Sequence, residues 1–179
     1  MKLQVPFIQL PILFDPDRLA AEIDALDARW WRGRTQHDDG NTALTLITTG
    51  GDPDSDELSG PMRPTPALGQ CPYLMQVLDA LGATWGRARL MRLSGQAEVR
   101  AHVDMNYYWR ERMRVHVPVV TTPSVRFQCG DGEVNMAAGE CWVFDTWRRH
   151  RVLNQGNDTR IHIVADTVGG ERFWDLLAQ

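Results

Sequence analysis

The sequence of 179 residues is short of most features that would place it quickly. It has only three cysteines, Cys71, Cys129 and Cys141, too few and too scattered for a disulfide framework or a thiolate zinc site. Such thiols fit a reducing compartment, where they serve as small core residues. Basic charge is in deficit, with 19 Lys and Arg against 23 Asp and Glu. Without a clustered basic run, binding to phosphate backbones is not expected. No apolar run approaches the roughly 20 residues that a membrane-spanning helix needs. The opening stretch MKLQVPFIQLPILFDPDR is interrupted by prolines and Gln and precedes no small-residue cleavage site, so a signal peptide is rejected. Internal repeats and low-complexity tracts are missing as well. The expectation is a soluble, cytoplasmic protein with neither nucleic acid nor membrane as partner.

What is present is an ordinary globular composition, 43% hydrophobic and 23% charged, in a chain long enough for one domain with a real core. Helix signals come first. Asp15 followed by Pro16 is an N-cap with proline at the first helical position, and Leu19, Ile23, Leu26 and Trp30 recur at helical spacing, predicting one helix to about Arg29. A strand is expected at 42–48 and a long loop at 50–66, rich in Gly, Pro, Asp and Ser. Leu74, Val77, Leu78 and Leu81 mark a second helix with Gly82 as its C-terminal cap. From Arg87 the texture changes to short β-type runs, near 87–93, 97–102, 112–120, 124–128, 132–136, 141–145, 150–154 and 159–167. Close turns such as Gly130-Asp131-Gly132 separate them, which argues for a jelly roll rather than a parallel sheet with helical crossovers. A short helix near 171–178 ends the chain. The predicted organisation is a helical and loop part over 1–85, a β-barrel over 86–169 and a terminal helix over 170–179.

The segment Arg100-Ala101-His102-Val103-Asp104 sets an imidazole and a carboxylate two residues apart, which on an extended chain point to one side. His150, after Trp147-Arg148-Arg149, is the candidate third ligand. Two His and one carboxylate leave open positions on an ion, the arrangement of non-haem iron oxygenases. Arg160, in Thr159-Arg160-Ile161-His162, has the rigid, always charged fork suited to gripping the far carboxylate of an oxoacid. Arg114 and His116 form another same-face pair on one strand, and unpaired polar residues in apolar strands are costly unless they serve something. Asn106, Tyr108 and Trp109, with Tyr107, follow the metal motif and are candidates for a substrate lid or for rim packing. Asp145 is expected to orient a ligand or to cap a turn. Arg89 and Arg92 face opposite ways on one strand, His162 is expected in the core, and His37 in a solvated loop.

From Arg89 to Gly169 these pieces together resemble the catalytic core of aspartyl/asparaginyl β-hydroxylases and of the related proline cis-4-hydroxylases. The matching segments are RLMRLSG (89–95), HVD (102–104), RVHVPV (114–119), GECWVFD (139–145), His150 with Asn154, and RIHIVAD (160–166). The resemblance implies a mainly β, cupin-like double-stranded β-helix. It implies Fe(II) on His102, Asp104 and His150, and 2-oxoglutarate on Arg114, His116 and Arg160, with O2 as the other cosubstrate. The reaction implied is hydroxylation of an amino acid, free or in a peptide or carrier-bound intermediate. The match is not complete. Animal members lack the carboxylate of the H-x-D motif and carry a long repeat domain, and the proline hydroxylases carry a C-terminal extension. Two other readings of the same residues stand beside this one: a metal-dependent cupin enzyme that does not use 2-oxoglutarate, and a non-catalytic barrel that binds a small ligand.

Overall fold

The computed structural model describes residues 1–33 and 40–179, so His37 lies outside the described residues. The strands are β1 (Phe7–Leu13), β2 (Arg32–Gly33), β3 (Asn41–Thr49), β4 (Met62–Pro64), β5 (Trp85–Leu93), β6 (Ala97–His102), β7 (Met113–Val120), β8 (Val125–Cys129), β9 (Gly132–Val134), β10 (Glu140–Phe144), β11 (His150–Asn154) and β12 (Arg160–Thr167). They form two antiparallel sheets. The larger has eight strands in the order β1-β10-β7-β12-β5-β3-β2, with β4 also on β3, and the smaller runs β6-β11-β8-β9. Helices α1 (Pro16–Asp24), α2 (Pro72–Ala80) and α3 (Glu171–Leu177) accompany them. The fold is mainly β, a double-stranded β-helix with flanking helices. No helix among the described residues is long and apolar enough to cross a membrane.

The two-residue period of the strands divides the chemistry between the faces of the larger sheet. Val115, Val117 and Val119 of β7, Ile163 and Ala165 of β12, and Ala88 and Leu90 of β5 pack on one side with Leu19 and Ile23 of α1 and Leu74, Val77 and Leu78 of α2. Each fully buried Leu, Ile or Val there contributes roughly 1.5–3 kcal/mol. The alternate residues, Arg114 and His116, Arg160, His162 and Asp166, Arg89 and Met91, belong to the other face, toward the smaller sheet. A second apolar cluster of Leu93, Val125, Phe127, Met136, Phe144 and Val152 lies there and holds the two sheets together.

The strands from residue 85 onward lie within about two residues of their predicted places, whereas the first half departs more. Asp15 caps α1 as expected, its Oδ1 accepting from the amides of Asp17 and Arg18 at 3.1 Å. The helix nevertheless stops at Asp24 instead of running to Arg29. Asp27 then caps a separate helical turn, Ala28–Trp30, by accepting from the Arg29 amide at 2.9 Å. Such side-chain competition for the backbone is what makes Asp a boundary residue. The helical and loop part predicted for 1–85 in fact contributes β1 to β4 to the larger sheet. β1 is an edge strand with Pro11 at an irregularity between Leu10 and Leu13, a position where a missing amide costs no ladder bond. β4 lies inside the predicted loop and pairs with Ile47–Thr49. Gly82 has φ +58, the left-handed conformation expected of a residue ending α2.

Candidate metal centre

His102 ends β6 and His150 begins β11, and the two are register partners across the smaller sheet. Their rings stand 4.3 Å apart. Asp104 comes two residues after His102, and its amide donates to the Thr146 carbonyl, joining this loop to the one that precedes His150. Ligand atoms of all three residues lie within 4.8 Å of one another. Each histidine turns Nδ1 to a backbone carbonyl, His102 to Arg100 at 2.8 Å and His150 to Arg148 at 2.9 Å. A carbonyl can only accept, so Nδ1 carries the hydrogen and Nε2 keeps a lone pair when the ring is neutral. Burial pushes His150 down to about 4, so it is neutral at physiological pH. The Nε2 atoms sit 3.8 and 4.0 Å from the Asp104 carboxylate. Two lone pairs and a carboxylate thus converge on one point, a donor set that fits Fe(II).

Arg114 stands behind Asp104. It donates from Nε to Asp166 at 2.9 Å and from one terminal nitrogen to Asp104 Oδ2 at 2.9 Å. Burial lowers its proton affinity, but the Asp166 and Asp104 carboxylates outweigh that and leave it above its ordinary value. The ring of Trp109 packs on the same guanidinium, 4.3 Å away. Asp166 was not among the residues singled out from the sequence. Its signal was there: it shares a strand face with Arg160 and His162, and a carboxylate in so apolar a strand needs a partner.

Beneath the triad, a cavity of about 60 Å³ is lined by Arg89, His116, Phe127, Phe144, His150 and Arg160 among others. Arg160 is 3% exposed, and its Nε and one terminal nitrogen have no hydrogen-bond partner among the described residues. Burial pushes it down to about 9, still charged at neutral pH. A buried cation with donors unused is costly unless an anion pairs with it, and a carboxylate of 2-oxoglutarate suits these donors in charge and geometry. His116 and His162 face each other, Nδ1 to Nδ1, at 3.3 Å. Burial holds both well below the ordinary histidine value, with Arg160 adding to the effect.

The structure brings His102, Asp104, His150, Arg114, His116 and Arg160 to one region and sets the aromatic segment behind it. Tyr108 and Trp109 are buried and do not line the cavity. The Tyr108 hydroxyl accepts from the Arg87 amide at 3.0 Å. Asn106 and Tyr107 border an open groove that Leu58, Ser59, Arg112 and an edge of Tyr108 also line. Asp145 shapes the turn before His150, its carboxylate accepting from the Trp147 amide at 3.0 Å and from Arg148 Nε at 3.2 Å. Arg89 faces inward, and Arg92 outward, where it bonds Thr42 and lies over Trp31.

A family model described as aspartyl/asparaginyl beta-hydroxylase matches residues 17–169. Among solved structures, similar ones include an oxidoreductase of the 2OG-Fe(II) oxygenase family from Burkholderia pseudomallei. It is 18% identical with a TM-score of 0.66, over 94% of this chain and 89% of that one. A prolyl-4-hydroxylase from Pseudomonas putida is 17% identical with a TM-score of 0.60, over 94% of both chains. A prolyl hydroxylase from Trichoplax adhaerens, solved with a peptide of the hypoxia inducible factor oxygen degradation domain, is 11% identical with a TM-score of 0.63, over 96% and 87%. At these identities the likeness is one of fold. No curated protein matches the sequence.

Proposed function

Because the chain belongs to the aspartyl/asparaginyl β-hydroxylase family, within the 2-oxoglutarate-dependent oxygenases, we propose that it hydroxylates an unactivated C–H bond of an amino acid, free or in a peptide or carrier-bound intermediate. His102, Asp104 and His150 would hold Fe(II). The observation that carries this reading is Arg160, a buried cation with donors unused among the described residues, in the cavity that His102 and His150 also line. Its fork would take the distal carboxylate of 2-oxoglutarate in two parallel charge-assisted hydrogen bonds. When bound, iron with 2-oxoglutarate and O2 supplies the oxidising power, with succinate and carbon dioxide released.

The chain's own residues bind and orient. The Nδ1 hydrogen bonds of His102 and His150 fix both rings so that their Nε2 lone pairs would be free for the ion. Arg114 aims the Asp104 carboxylate by holding one oxygen, and Asp166 holds Arg114 in turn. His116, kept neutral by burial, would donate to the cosubstrate rather than compete with Arg160 as a second cation. Asn106 would contact substrate at the rim. Tyr108 and Trp109 would act one layer behind, through the Arg87 backbone and the Arg114 guanidinium. A reducing, cytoplasmic setting would suit three buried free thiols.

The test is succinate formation from 2-oxoglutarate with Fe(II) and O2, in the wild type and in Arg160→Gln. The expected result is turnover in the wild type and a selective loss of cosubstrate affinity in the variant. A wild type that binds metal but neither binds nor consumes 2-oxoglutarate would leave a cupin enzyme of another kind, or a non-catalytic binding barrel.

A further inference from the structure

The register of the large sheet sets an order along its inner face. Arg160 lies opposite Leu93, Val164 opposite Arg89, and Ala165 opposite Ala88. Arg87 therefore falls at the level of Asp166, whose partner across β7 is Arg114. The Arg160 end is deep, and the Arg87 end is at the level of the triad's supporting charges.

Beside Arg89 at this end lies a second cavity, of about 200 Å³, lined by Trp30, Thr45, Pro53 and Arg87 among others, with the exposed Asp56 at its rim. Arg89 lines both this cavity and the metal cavity, so the two share a wall. The loop over it is pinned to β3, with Thr45 Oγ1 donating to the Pro53 carbonyl at 2.9 Å and Thr48 Oγ1 to Asp52 at 2.8 Å. Its charges are incompletely matched. Arg32 holds Asp54 at 2.5 Å, which leaves Asp56 with no ion pair among the described residues. Arg87 likewise has no ion pair among them, and its buried Nε has no hydrogen-bond partner.

We propose that this cavity is the substrate subsite and that the substrate is a single free amino acid. Arg87 takes its carboxylate, Asp56 its ammonium group, and its side chain passes Arg89 toward the metal. A guanidinium with an unused buried donor and a carboxylate at the rim match the two ends of a zwitterion. A cavity of about 200 Å³ is smaller than the roughly 300–1,000 Å³ of pockets for larger ligands, which favours one residue over a peptide. The proposal rests on the oxygenase reading above and narrows its substrate class.

The experiment uses the full chain loaded with Mn(II), a redox-stable paramagnetic stand-in, and 2-oxoglutarate. A mixture of free L-amino acids, and then of their carboxamides, is added, and NMR line broadening reports which compounds come near the metal. At least one free amino acid should broaden, with its carboxamide at least roughly tenfold weaker, since one charge-assisted hydrogen bond is at stake. Arg87→Met should weaken the amino acid by roughly 10- to 100-fold. Arg87→Lys should restore part of the loss, because it returns the charge without the fork. Asp56→Asn, at the solvated rim, should cost only a few-fold. Titration of 2-oxoglutarate on each variant reports that the barrel is folded. The proposal is overturned if the wild type binds 2-oxoglutarate but broadens no amino acid, if carboxamides bind as well as acids, or if Arg87→Met changes nothing. Failure of the wild type to bind 2-oxoglutarate would sink the underlying reading, and this proposal with it.

Discussion

At the level of the metal ligands, Arg114 is gripped by Asp166 and Asp104 at 2.9 Å each, whereas at the deep end Arg160, as thoroughly buried, has two nitrogens without a partner among the described residues. The same residue type on the same sheet face is treated in opposite ways. A fully paired guanidinium is fixed in place and can fix something else, here the carboxylate ligand. An unpaired one costs stability in the empty protein and is relieved when an anion enters, so the cost becomes affinity. The contrast distinguishes positioning charge from binding charge without reference to any ligand.

Breaking the centre that the paired network serves should give the largest effect. His150→Ala removes one of three ligands, and turnover should fall below detection with metal content lost. The Arg114 network is untouched, so the metal-free protein should stay folded, its melting temperature falling only by what the lost packing on Phe144 contributes. Metal analysis and a thermal melt check both, and full metal occupancy in the variant would sink the triad.

Breaking the pairing itself comes next. Asp166→Asn leaves a buried arginine half-neutralised and should cost about 3–5 kcal/mol of stability. With its main partner gone, Arg114 should also draw on Asp104 and weaken metal binding. Urea unfolding and a Co(II) titration measure the two losses, and a variant as stable as wild type would mean that the pair carries no net energy.

Arg160→Gln sharpens the contrast from the other side. It should lower 2-oxoglutarate affinity by about 2–5 kcal/mol, the range for truncating a buried charge pair. Metal affinity should hold, and the empty protein should be no less stable, because no pair is broken. A loss of stability like that of Asp166→Asn would show that Arg160 has a structural partner after all.

The smallest effect concerns pH. His116 and His162 are held well below the ordinary histidine value by burial, so between their folded and unfolded values only the unfolded chain binds protons. Their stability contribution is present above the unfolded value of about 6.5 and is lost as pH falls below it, by about 1.4 kcal/mol per histidine for each unit. Urea midpoints at pH 7.5 and 5.5 should show the drop, and His162→Gln should flatten it. An unchanged slope would assign the pH dependence elsewhere.

The parts legible in the sequence are those set by neighbours along the chain. Alternation gave the strands from β5 onward because each has one face in apolar packing. β1 was not legible, since an edge strand with Pro11 shows little alternation and makes few demands on its residues. The end of α1 was not legible either, because Leu26 and Trp30 continue the helical period while Asp27 closes the ladder. Of the aromatic residues after Asp104, chain position left a lid and rim packing open, and contact with Arg114 and the Arg87 amide buries Trp109 and Tyr108.

By itself, the sequence determined that His102 and Asp104 share a side, that the later half is a run of short strands, and that Arg114 and His116 share one strand face and Arg160 and His162 another. These follow from the two-residue period of extended backbone, which is local. Only the tertiary structure decided that His150 pairs with His102, that Arg114 is spent on Asp166, and that Arg160 keeps two nitrogens without a hydrogen-bond partner among the described residues. Arg114 and Asp166 are 52 positions apart, and whether a buried charge has a partner depends on what the fold brings within about 3 Å of it, a property no stretch of sequence contains.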